Sequence, residues 1–423
     1  MFLPLLYPRP VLSALNVGGQ GPRDLMVNFE ETSTNDLHPR LRILFVNGTS
    51  EIGGADTDLL EITRHLDKRR FDPIVVLPYP GLLTPEFEAG GIRLVYLDAA
   101  PIKRFDRFLQ YIAYPLRWIR AATKLFLLIR REKCALVQVN SSVLPAVGFA
   151  ARLAGIPCVW HVREITVNPA AVGQLLRIWI AICSNRIVAN SQAVAVPFNR
   201  SCRNKVIVIP HGIDLVRFSP GERRSERQKL GVPPEGTFLG YVGRLSPGKG
   251  ISILFEALSK ILPQMPDVRL IVAASVVGYT KHLEELRDLA RRLGIADRIF
   301  WRFDERNVTQ VMRALDVLVV PSVVPESFGL VAIEGLACGC AVIGTNHGGL
   351  AEILNRCPAG RLAPPGDPSA LAGLLRDLLI ESSLHRRDLD IAARQWAVQH
   401  YDIERATRAL AQVYESLSPI TAE

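Results

Sequence analysis

The strongest constraint on the fold is a regular alternation of short apolar segments with amphipathic segments, which runs from residue 41 to the end of the chain. Apolar runs that are each followed by a helical pattern are typical of a parallel sheet covered by helices on both faces. The alternation therefore predicts an α/β protein. The predicted strands form a first series at 41–46, 73–77, 94–97, 136–139, 158–161 and 187–189, and a second series at 238–242, 269–273, 299–301, 317–320 and 341–343.

The run 206–210, Val-Ile-Val-Ile-Pro, separates the two series and predicts two consecutive doubly wound, Rossmann-like domains. A chain of 423 residues is long enough for two full cores. Helices are predicted at 56–66, 147–153, 172–183, 251–262, 283–293, 308–314, 330–337 and 370–379, and the tail 392–417 as one undivided helix. The resulting division is a leader at 1–40, domains at 41–206 and 207–395, and a C-terminal helix within 396–423.

Neither an export signal nor a membrane span is predicted. The Pro- and Gly-containing leader is expected to lie outside the fold, with Met26 as an alternative start. It lacks the positive start of a signal peptide, and no apolar stretch reaches the ~18–20 residues of a transmembrane helix. Seven scattered cysteines give no disulfide framework, and Cys338-x-Cys340 has no second pair for a metal. These features favour the cytoplasm.

The formal net charge of +9 is unevenly distributed. Residues 103–133 carry nine basic and two acidic residues, interleaved with aromatic and aliphatic side chains. This pattern predicts either a peripheral helix on an anionic membrane, on the inner face of the cell membrane, or an ordinary helix whose apolar face is core. Pro115 is predicted to divide the segment into two helices. No nucleic-acid partner is predicted, because no recognisable reading module accompanies the charge.

Two carboxylates bracket the turn after the predicted strand 317–320. Glu326 precedes a helical pattern that begins near Gly329, and Glu334 lies within it. Helix N-termini at the carboxyl ends of parallel strands bind anions, so the turn predicts an anion site. Eight helical steps would separate the acids by about 12 Å, which is wider than a glycosidase pair and suits an elongated nucleotide diphosphate sugar. The alternative is a helix cap at Glu326 and a solvated Glu334.

The segment 243–250, GRLSPGKG, nearly spells a P-loop, but Gly250 stands where the magnesium-binding Ser or Thr would be. A glycine turn before a helix, with Arg244 and Lys249, predicts a diphosphate clamp without metal. The alternative is a surface turn with two solvated cations.

Three further features lie near predicted strand ends in the first series. Gly53 and Gly54 follow the first strand and permit close approach of backbone to a ligand. His161 ends a strand and is expected to face the cleft between the domains. Asp56-x-Asp58 resembles a metal-binding pair, but such pairs are common by chance, and we predict no metal site there.

Taken together, these motifs resemble the retaining glycosyltransferases of the GT-B fold, family four (group one) type, over roughly residues 41–417. The most specific match is the Glu326-x7-Glu334 pair within PSVVPESFGLVAIEGLACG. The resemblance implies two Rossmann-like domains facing a central cleft, with the C-terminal helix crossing back to the first domain. Supporting matches are GGA at 53–55, VIPHGID at 208–214, GRLSPGKG at 243–250, GGLAE at 348–352 and GD at 366–367.

The resemblance also implies roles for individual residues. Glu326 and His161 would be catalytic, lying beside the transferred sugar. Arg244 and Lys249 would neutralise the diphosphate as the leaving group gains charge. The donor-binding residues would be Gly54 at the diphosphate, Glu334 at the ribose, Phe328, Gly329 and Leu330 through backbone amides, and Arg244 and Lys249.

The implied reaction is metal-independent transfer of a sugar, with retention, from a nucleotide diphosphate sugar to a hydroxyl on a glycan, a lipid-linked acceptor or a small molecule. Polysaccharide or lipid-linked glycan synthesis is the expected setting, and no cofactor is expected. His211 for the usual Asn, and Arg302 for a common Gly, leave the base of the donor open. The alternatives are a P-loop-like ATPase or nucleotide switch, and a non-catalytic glycan- or nucleotide-binding module on the same fold.

Overall fold

The computed structural model describes residues 40–51, 53–102, 108–165, 169–198, 202–303, 305 and 307–418. The predicted leader, apart from its last residue, and the start of the basic segment at 103–107 lie outside the described residues. Each predicted strand is present, and most are one to three residues longer than predicted. The two series form two separate parallel sheets, as predicted.

The first sheet has seven strands in the order β3-β2-β1-β4-β5-β6-β7, all parallel. Its inner strands are mostly apolar because helices cover both faces. Its last strand, β7, runs two residues past the predicted domain boundary at 206. The strands are β1 (Leu41–Val46), β2 (Phe71–Leu77), β3 (Arg93–Tyr96), β4 (Leu136–Val139), β5 (Cys158–Val162), β6 (Arg186–Ala189) and β7 (Val206–Val208).

The second sheet has six parallel strands in the order β10-β9-β8-β11-β12-β13. Both sheets reverse their strand order next to their first strand, between β1 and β4 and between β8 and β11. These reversal points are where open α/β sheets bind ligands. The strands are β8 (Thr237–Arg244), β9 (Val268–Ser275), β10 (Ile299–Phe303), β11 (Val317–Val320), β12 (Ala341–Thr345) and β13 (Gly360–Ala363).

Fourteen helices connect the described strands and close the chain. The first six belong to the first domain: α1 (Gly54–His65), α2 (Thr84–Ala89), α3 (Phe108–Arg131), α4 (Pro145–Ala154), α5 (Ala170–Cys183) and α6 (Gln192–Ala195). The rest are α7 (Arg223–Lys229), α8 (Ile251–Ile261), α9 (Thr280–Arg292), α10 (Val308–Ala314), α11 (Leu330–Ala337), α12 (Gly348–Leu354), α13 (Pro368–His400) and α14 (Ile403–Leu417).

The prediction that Pro115 would divide its segment was wrong, because α3 is one helix of 24 residues with Pro115 inside it. A proline removes one helical hydrogen bond and its ring displaces the carbonyl four residues earlier. Both Pro115 and Leu116 are exposed, so water can hydrate the freed carbonyl. An exposed helix face therefore tolerates a proline that a buried one would not.

The prediction of one undivided helix at 392–417 was also wrong. Helix α13 ends at His400, and α14 begins at Ile403 after a break at Tyr401. The Asp402 side chain accepts a hydrogen bond from the Glu404 amide (3.0 Å) and caps α14. The break also lets the Ile213 amide donate to the Tyr401 carbonyl (2.8 Å), which ties the connection between the domains to the start of α14.

The C-terminal helix returns to the first domain, as the resemblance implied. Tyr414 of α14 is fully buried and lies edge-on to Phe45 and Phe71, with ring centroids 6.2 and 6.1 Å away. Its hydroxyl donates to the Gln138 side chain. The helix is therefore part of the first domain's core.

Candidate functional site

The reversal points of the two sheets face each other across the contact between the domains. The Ser191 hydroxyl, after β6, donates to the Ser327 carbonyl, after β11 (2.6 Å). A Cβ placed on Gly54 would lie 3.1 Å from the Leu330 side chain. The His211 ring lies edge-on to Phe328 at 4.9 Å. Residues that follow strands of both sheets therefore meet at one contact between the domains.

Glu326 is held by side chains of the second domain. The Lys249 ammonium donates to both of its carboxylate oxygens, at 2.7 and 2.9 Å. The Ser322 hydroxyl donates to the same carboxylate. The pair is not deeply buried, since the side chains of Lys249 and Glu326 are 28% and 16% exposed. A carboxylate fixed in this way can accept hydrogen bonds from hydroxyls in a defined direction.

The backbone around Glu326 is extended rather than helical. Glu326 forms a bridge with Gly348, and the Gly349 amide donates to its carbonyl (2.7 Å). The helix α11 begins only at Leu330, after Gly329 at a φ of 118°. The eight-step helical separation of Glu326 and Glu334 was therefore wrong, because only the last four steps are helical. A side chain on Gly348 would overlap the Glu326 backbone, which explains the paired glycines.

The 243–250 turn packs directly against the Glu326 loop. Gly250 has a φ of 68°, and a Cβ there would overlap the Pro321 carbonyl oxygen. The Ser or Thr of a P-loop cannot occupy this position without displacing that loop. The Arg244 side chain is exposed, and its guanidinium makes no ion pair or hydrogen bond within the described residues. The turn thus offers one free cation and one cation paired with Glu326.

Glu334 lies in the second turn of α11 and is partly buried. Burial raises the pKa of its carboxyl to about 7, and Arg217 lowers it only in part. The alternative of a fully solvated Glu334 is wrong for this reason. A half-buried carboxyl with little compensating charge suits hydrogen bonds to neutral hydroxyls better than a structural ion pair.

The first domain contributes a buried network of polar side chains. His161 on β5 and Arg163 just after it lie with Asp58 of α1 and with His211 beyond β7, and each is less than 9% exposed. Arg163 donates to the Asp58 carboxylate and to the Ala55 carbonyl (2.9 Å). The other Asp58 oxygen lies 2.7 Å from His211 Nδ1. Three separate segments are thus joined through one carboxylate.

The charge state of this network follows from its contacts. Burial alone would raise the pKa of Asp58, but the neighbouring His211 and Arg163 hold it well below its usual value. Burial and the Arg163 charge together lower the pKa of His161 well below its usual value. Asp58 is therefore ionised and His161 is neutral at ordinary pH.

In the described ranges, one group of three His, Cys, Asp or Glu side chains has its ligand atoms within 4.8 Å of one another, namely Asp58, His161 and His211. The Arg163 guanidinium contacts both Asp58 and His161, at 3.3 Å from His161 Nδ1. A cation would meet that positive charge at close range. Asp56, the other acid of the D-x-D pair, accepts a hydrogen bond from the Asn47 side chain instead (2.6 Å).

Glu352 makes a further contact between the domains. Its carboxylate accepts from the backbone amides of Gln192 (2.9 Å) and Ala193 (2.7 Å), at the start of α6. The motif GGLAE contains Glu352, but its pattern predicts no role for that residue. Local patterns also do not predict Ser322, Arg163 and Asp58 as partners of the predicted residues, although an Arg two residues after His161 was a usable signal.

Two family models match the chain. One, described as Glycosyltransferase Family 4, matches residues 52–217, and the other, Glycosyl transferases group 1, matches 222–396. Together they cover most of the chain. The chain belongs to the group 1, family 4 glycosyltransferases, with the GT-B fold.

Curated relatives carry the name D-inositol 3-phosphate glycosyltransferase. The protein of Catenulispora acidiphila is 37% identical over 206 residues, covering 45% of this chain and 48% of the relative. That of Corynebacterium jeikeium is 33% identical over 259 residues, covering 56% and 60%. The chain therefore spans about half the length of these relatives.

Solved structures support the fold over almost the whole molecule. The Anabaena protein HepE in complex with UDP-glucose has a TM-score of 0.75 and 25% identity, over 89% of this chain and 100% of HepE. A glycosyltransferase of Rickettsia africae has a TM-score of 0.77 at 20% identity, over 90% and 100%, and shows the fold alone. Among the described residues, no helix is both long and apolar enough to cross a membrane.

Proposed function

We propose that this protein transfers a sugar from a nucleoside diphosphate donor to a hydroxyl acceptor, with retention of the anomeric configuration. The observation that carries the proposal is the Lys249–Glu326 pair beside the free Arg244, at the reversal point of the second sheet. Two cations and a fixed carboxylate suit a diphosphate joined to a sugar.

Each side chain has a separate task in the proposed complex. The Lys249 ammonium is shared between the diphosphate and Glu326, and Arg244 also binds the diphosphate. Glu326 then accepts hydrogen bonds from the sugar hydroxyls, while Glu334 accepts them from the ribose. Gly54 lies against the diphosphate from the first domain. The amides of Phe328, Gly329 and Leu330 contact the sugar and the distal phosphate.

In the proposed reaction the acceptor hydroxyl attacks the anomeric carbon from the face that the diphosphate leaves. The carbon–oxygen bond to the phosphate breaks as the new glycosidic bond forms. The hydroxyl proton passes to the leaving phosphate oxygen, so no side chain needs to act as the base. Arg244 and Lys249 stabilise the charge that develops on the leaving group, a role that a metal ion can fill elsewhere.

UDP-glucose is the donor to test first, because HepE binds it with the same fold at 25% identity. The names of the relatives suggest an inositol phosphate for the acceptor panel, beside glycan and lipid-linked hydroxyls. Arg302 belongs to β10, and its side chain donates to the Leu230 carbonyl at the end of α7. The guanidinium is therefore held against α7.

The experiment measures release of nucleoside diphosphate from a donor panel in EDTA, with Arg244→Ala as the site variant and Arg292→Ala on α9 as its control. Turnover in EDTA that falls sharply only in Arg244→Ala supports the proposal. A requirement for divalent metal would contradict the mechanism. Magnesium-dependent hydrolysis of ATP that is lost in Lys249→Ala but kept in Glu326→Ala would favour the nucleotide switch.

We also propose that α3 and α5 dock the protein on an anionic membrane surface, on the cytoplasmic face if the acceptor is lipid-linked. Large apolar side chains stay exposed on both helices, which both pack on α4. Exposed cations flank them. The exposed apolar residues are Ile112, Leu116, Ile119 and Leu127 on α3 and Leu175, Ile178 and Ile182 on α5, with Arg120, Lys124 and Arg130 as cations.

Arg117 does not belong to this set of cations, because it donates to Asp98 at 2.7 and 2.8 Å. The test is cosedimentation with phosphatidylcholine vesicles with and without phosphatidylglycerol. Arg120→Gln with Lys124→Gln should weaken binding to the anionic vesicles, whereas Lys281→Gln with Arg292→Gln on α9 should not. Equal binding by both double variants would rule out docking through α3.

A further inference from the structure

The His161 ring has one nitrogen with a partner and one without. Its Nδ1 lies 3.3 Å from Arg163 Nη2. Its Nε2 is buried and has no hydrogen-bond partner among the described residues. An unpaired buried polar atom is costly, so a position that keeps one calls for an explanation. The resemblance implies that His161 lies beside the donor sugar.

The contact with Arg163 determines which nitrogen carries the ring proton. A guanidinium has only donors, so Nδ1 must be the acceptor in this contact. In a neutral imidazole the proton then resides on Nε2. The unpartnered atom is consequently an N–H donor and not a lone pair.

Arg163 can impose this arrangement because its own position is fixed. Its guanidinium donates to the Ala55 carbonyl at 2.9 Å and to the Asp58 carboxylate. Asp58 is in turn held by His211 on its other oxygen, at 2.7 Å. The charge of Arg163 is thus neutralised by a carboxylate that has no remaining freedom.

We propose that Arg163 and Asp58 are positioning residues that hold His161 in the Nε2–H form, as a hydrogen-bond donor to a hydroxyl or phosphate oxygen of the bound donor substrate. His161 then stabilises charge on that oxygen and takes no proton. The contact between His161 and the donor substrate rests on the proposed function, whereas the tautomer of the His161 ring does not.

The surroundings of His161 agree with this role. The charged and titratable groups that face it are Asp58 from α1, Arg163 from just after the end of β5 and His211 from the connection between the domains. A second proton would have to enter at Nδ1, facing the Arg163 guanidinium. Burial and that charge keep the pKa of the imidazole low, so the ring stays neutral across the working range.

The form of the ring can be measured without any substrate. In the full-length protein with ¹⁵N-labelled histidine, the His161 signals are assigned from their loss in His161→Gln. We expect the Nε2–H pattern, unchanged from pH 8 to pH 5.5. In Arg163→Met we expect a mixture of both forms and a ring that titrates. A wild-type ring in the Nδ1–H form, or one that titrates near 6.5, would overturn the inference.

Activity tests the role of the donor proton. Because a Gln amide nitrogen can stand close to the place of Nε2, His161→Gln should keep kcat/KM within about 10-fold, whereas His161→Ala should lose about 100-fold. If the ring acted as a base, both variants would lose the same activity, and that result would overturn the proposal. If no sugar is transferred by the wild type, the proposed function fails while the ring measurement still stands.

Arg163→Met removes one partner of a buried carboxylate, so its thermal unfolding is measured alongside. Asp58→Asn gives an independent route to the same result, because it frees the guanidinium while leaving Arg163 in place. We expect kcat to fall with little change in KM in both variants, and a new acid limb in the pH profile. Unaltered pH profiles in both folded variants would show that the network is only structural.

Discussion

The carboxyl ends of the strands in the two sheets face each other across the contact between the domains, and we call them the first edge and the second edge. They hold their charged side chains in opposite ways. On the first domain, Asp58, Arg163 and His211 are buried, and Asp58 pairs with both of the other side chains. On the second domain, Arg244 is exposed and Lys249 forms a partly exposed pair with Glu326. The first edge is therefore set by the fold, whereas the second can exchange its partners for those of a ligand.

This difference separates stability from binding. Breaking a buried charge pair leaves an uncompensated charge and costs several kcal/mol, whereas an exposed pair contributes little. Substitutions that break the buried pair on the first edge should consequently reduce stability, whereas those on the second edge should reduce turnover with little loss of stability.

Glu326→Ala should have the largest effect on activity. We expect transfer to fall by about 10³-fold, or about 4 kcal/mol, with little change in thermal unfolding, because the Lys249 left without its partner is 28% exposed and can be hydrated. The measurement is kcat/KM for released nucleoside diphosphate. Glu381→Ala, which removes a surface pair with Arg361, is the control. A variant keeping more than a tenth of the activity would remove Glu326 from the site.

Asp58→Asn should have the largest effect on stability, about 3 kcal/mol by denaturant unfolding, because Arg163 loses its counter-charge in a buried site. Asp67→Asn, at an exposed pair with Arg69, should cost less than about 1 kcal/mol. Equal losses of unfolding free energy in Asp58→Asn and Asp67→Asn would mean that the first edge is not the rigid one.

The same pair predicts a pH dependence. The pKa of Asp58 is lowered in the folded protein, so its contribution is complete above the unfolded value near 4 and is lost as the pH falls further. The difference in stability between the wild type and Asp58→Asn should therefore shrink below about pH 4.

Gly250→Ala should cost about 2 kcal/mol, because its φ of 68° is unfavourable for alanine and the new methyl group would meet the Pro321 carbonyl. Gly366→Ala has a similar φ of 73° but open space, and should cost about 1 kcal/mol. Both are read from denaturant midpoints. The additional loss of stability in Gly250→Ala should be accompanied by reduced turnover, because the loop that carries Glu326 must move. Equal costs would show that the loop yields freely.

Glu334→Gln should have the smallest effect on stability and the opposite sign. The pKa of the carboxyl is raised to about 7 in the folded protein, so its ionisation opposes folding increasingly as the pH rises from about 4.5 through 7. The variant should be about 1–2 kcal/mol more stable than the wild type at pH 8 and equal to it at pH 4. It should also raise KM for the donor. A destabilised variant at pH 8 would make Glu334 structural.

The sequence was sufficient for the fold because parallel strands covered on both faces are apolar throughout, as at Val317–Val320. It was insufficient where that signal is weak. The strand Gly360–Ala363 was not predicted, since its four residues include one glycine and one arginine and two of them are only partly buried. Pro115 was overinterpreted because the cost of a helical proline depends on exposure, which a single sequence does not contain.

The motifs located Glu326, Lys249 and Glu334, but not the contacts among them. The Lys249–Glu326 pair spans 77 residues and the Arg163–Asp58 pair spans 105. Such pairs form only when a sheet brings distant strand ends together, so local spacing cannot predict them. Asp58 was judged only as one half of a D-x-D pair, whereas its partners come from β5 and from the connection after β7.

The return of α14 to the first domain has a consequence for synthesis on the ribosome. Leu410, Val413 and Tyr414 complete an apolar cluster whose other members include residues of β1, β2 and α1. The first sheet emerges early, yet this cluster stays open until the whole second domain has been translated. The nascent first domain must therefore wait, with Phe45 and Phe71 uncovered, for a segment made more than 300 residues later.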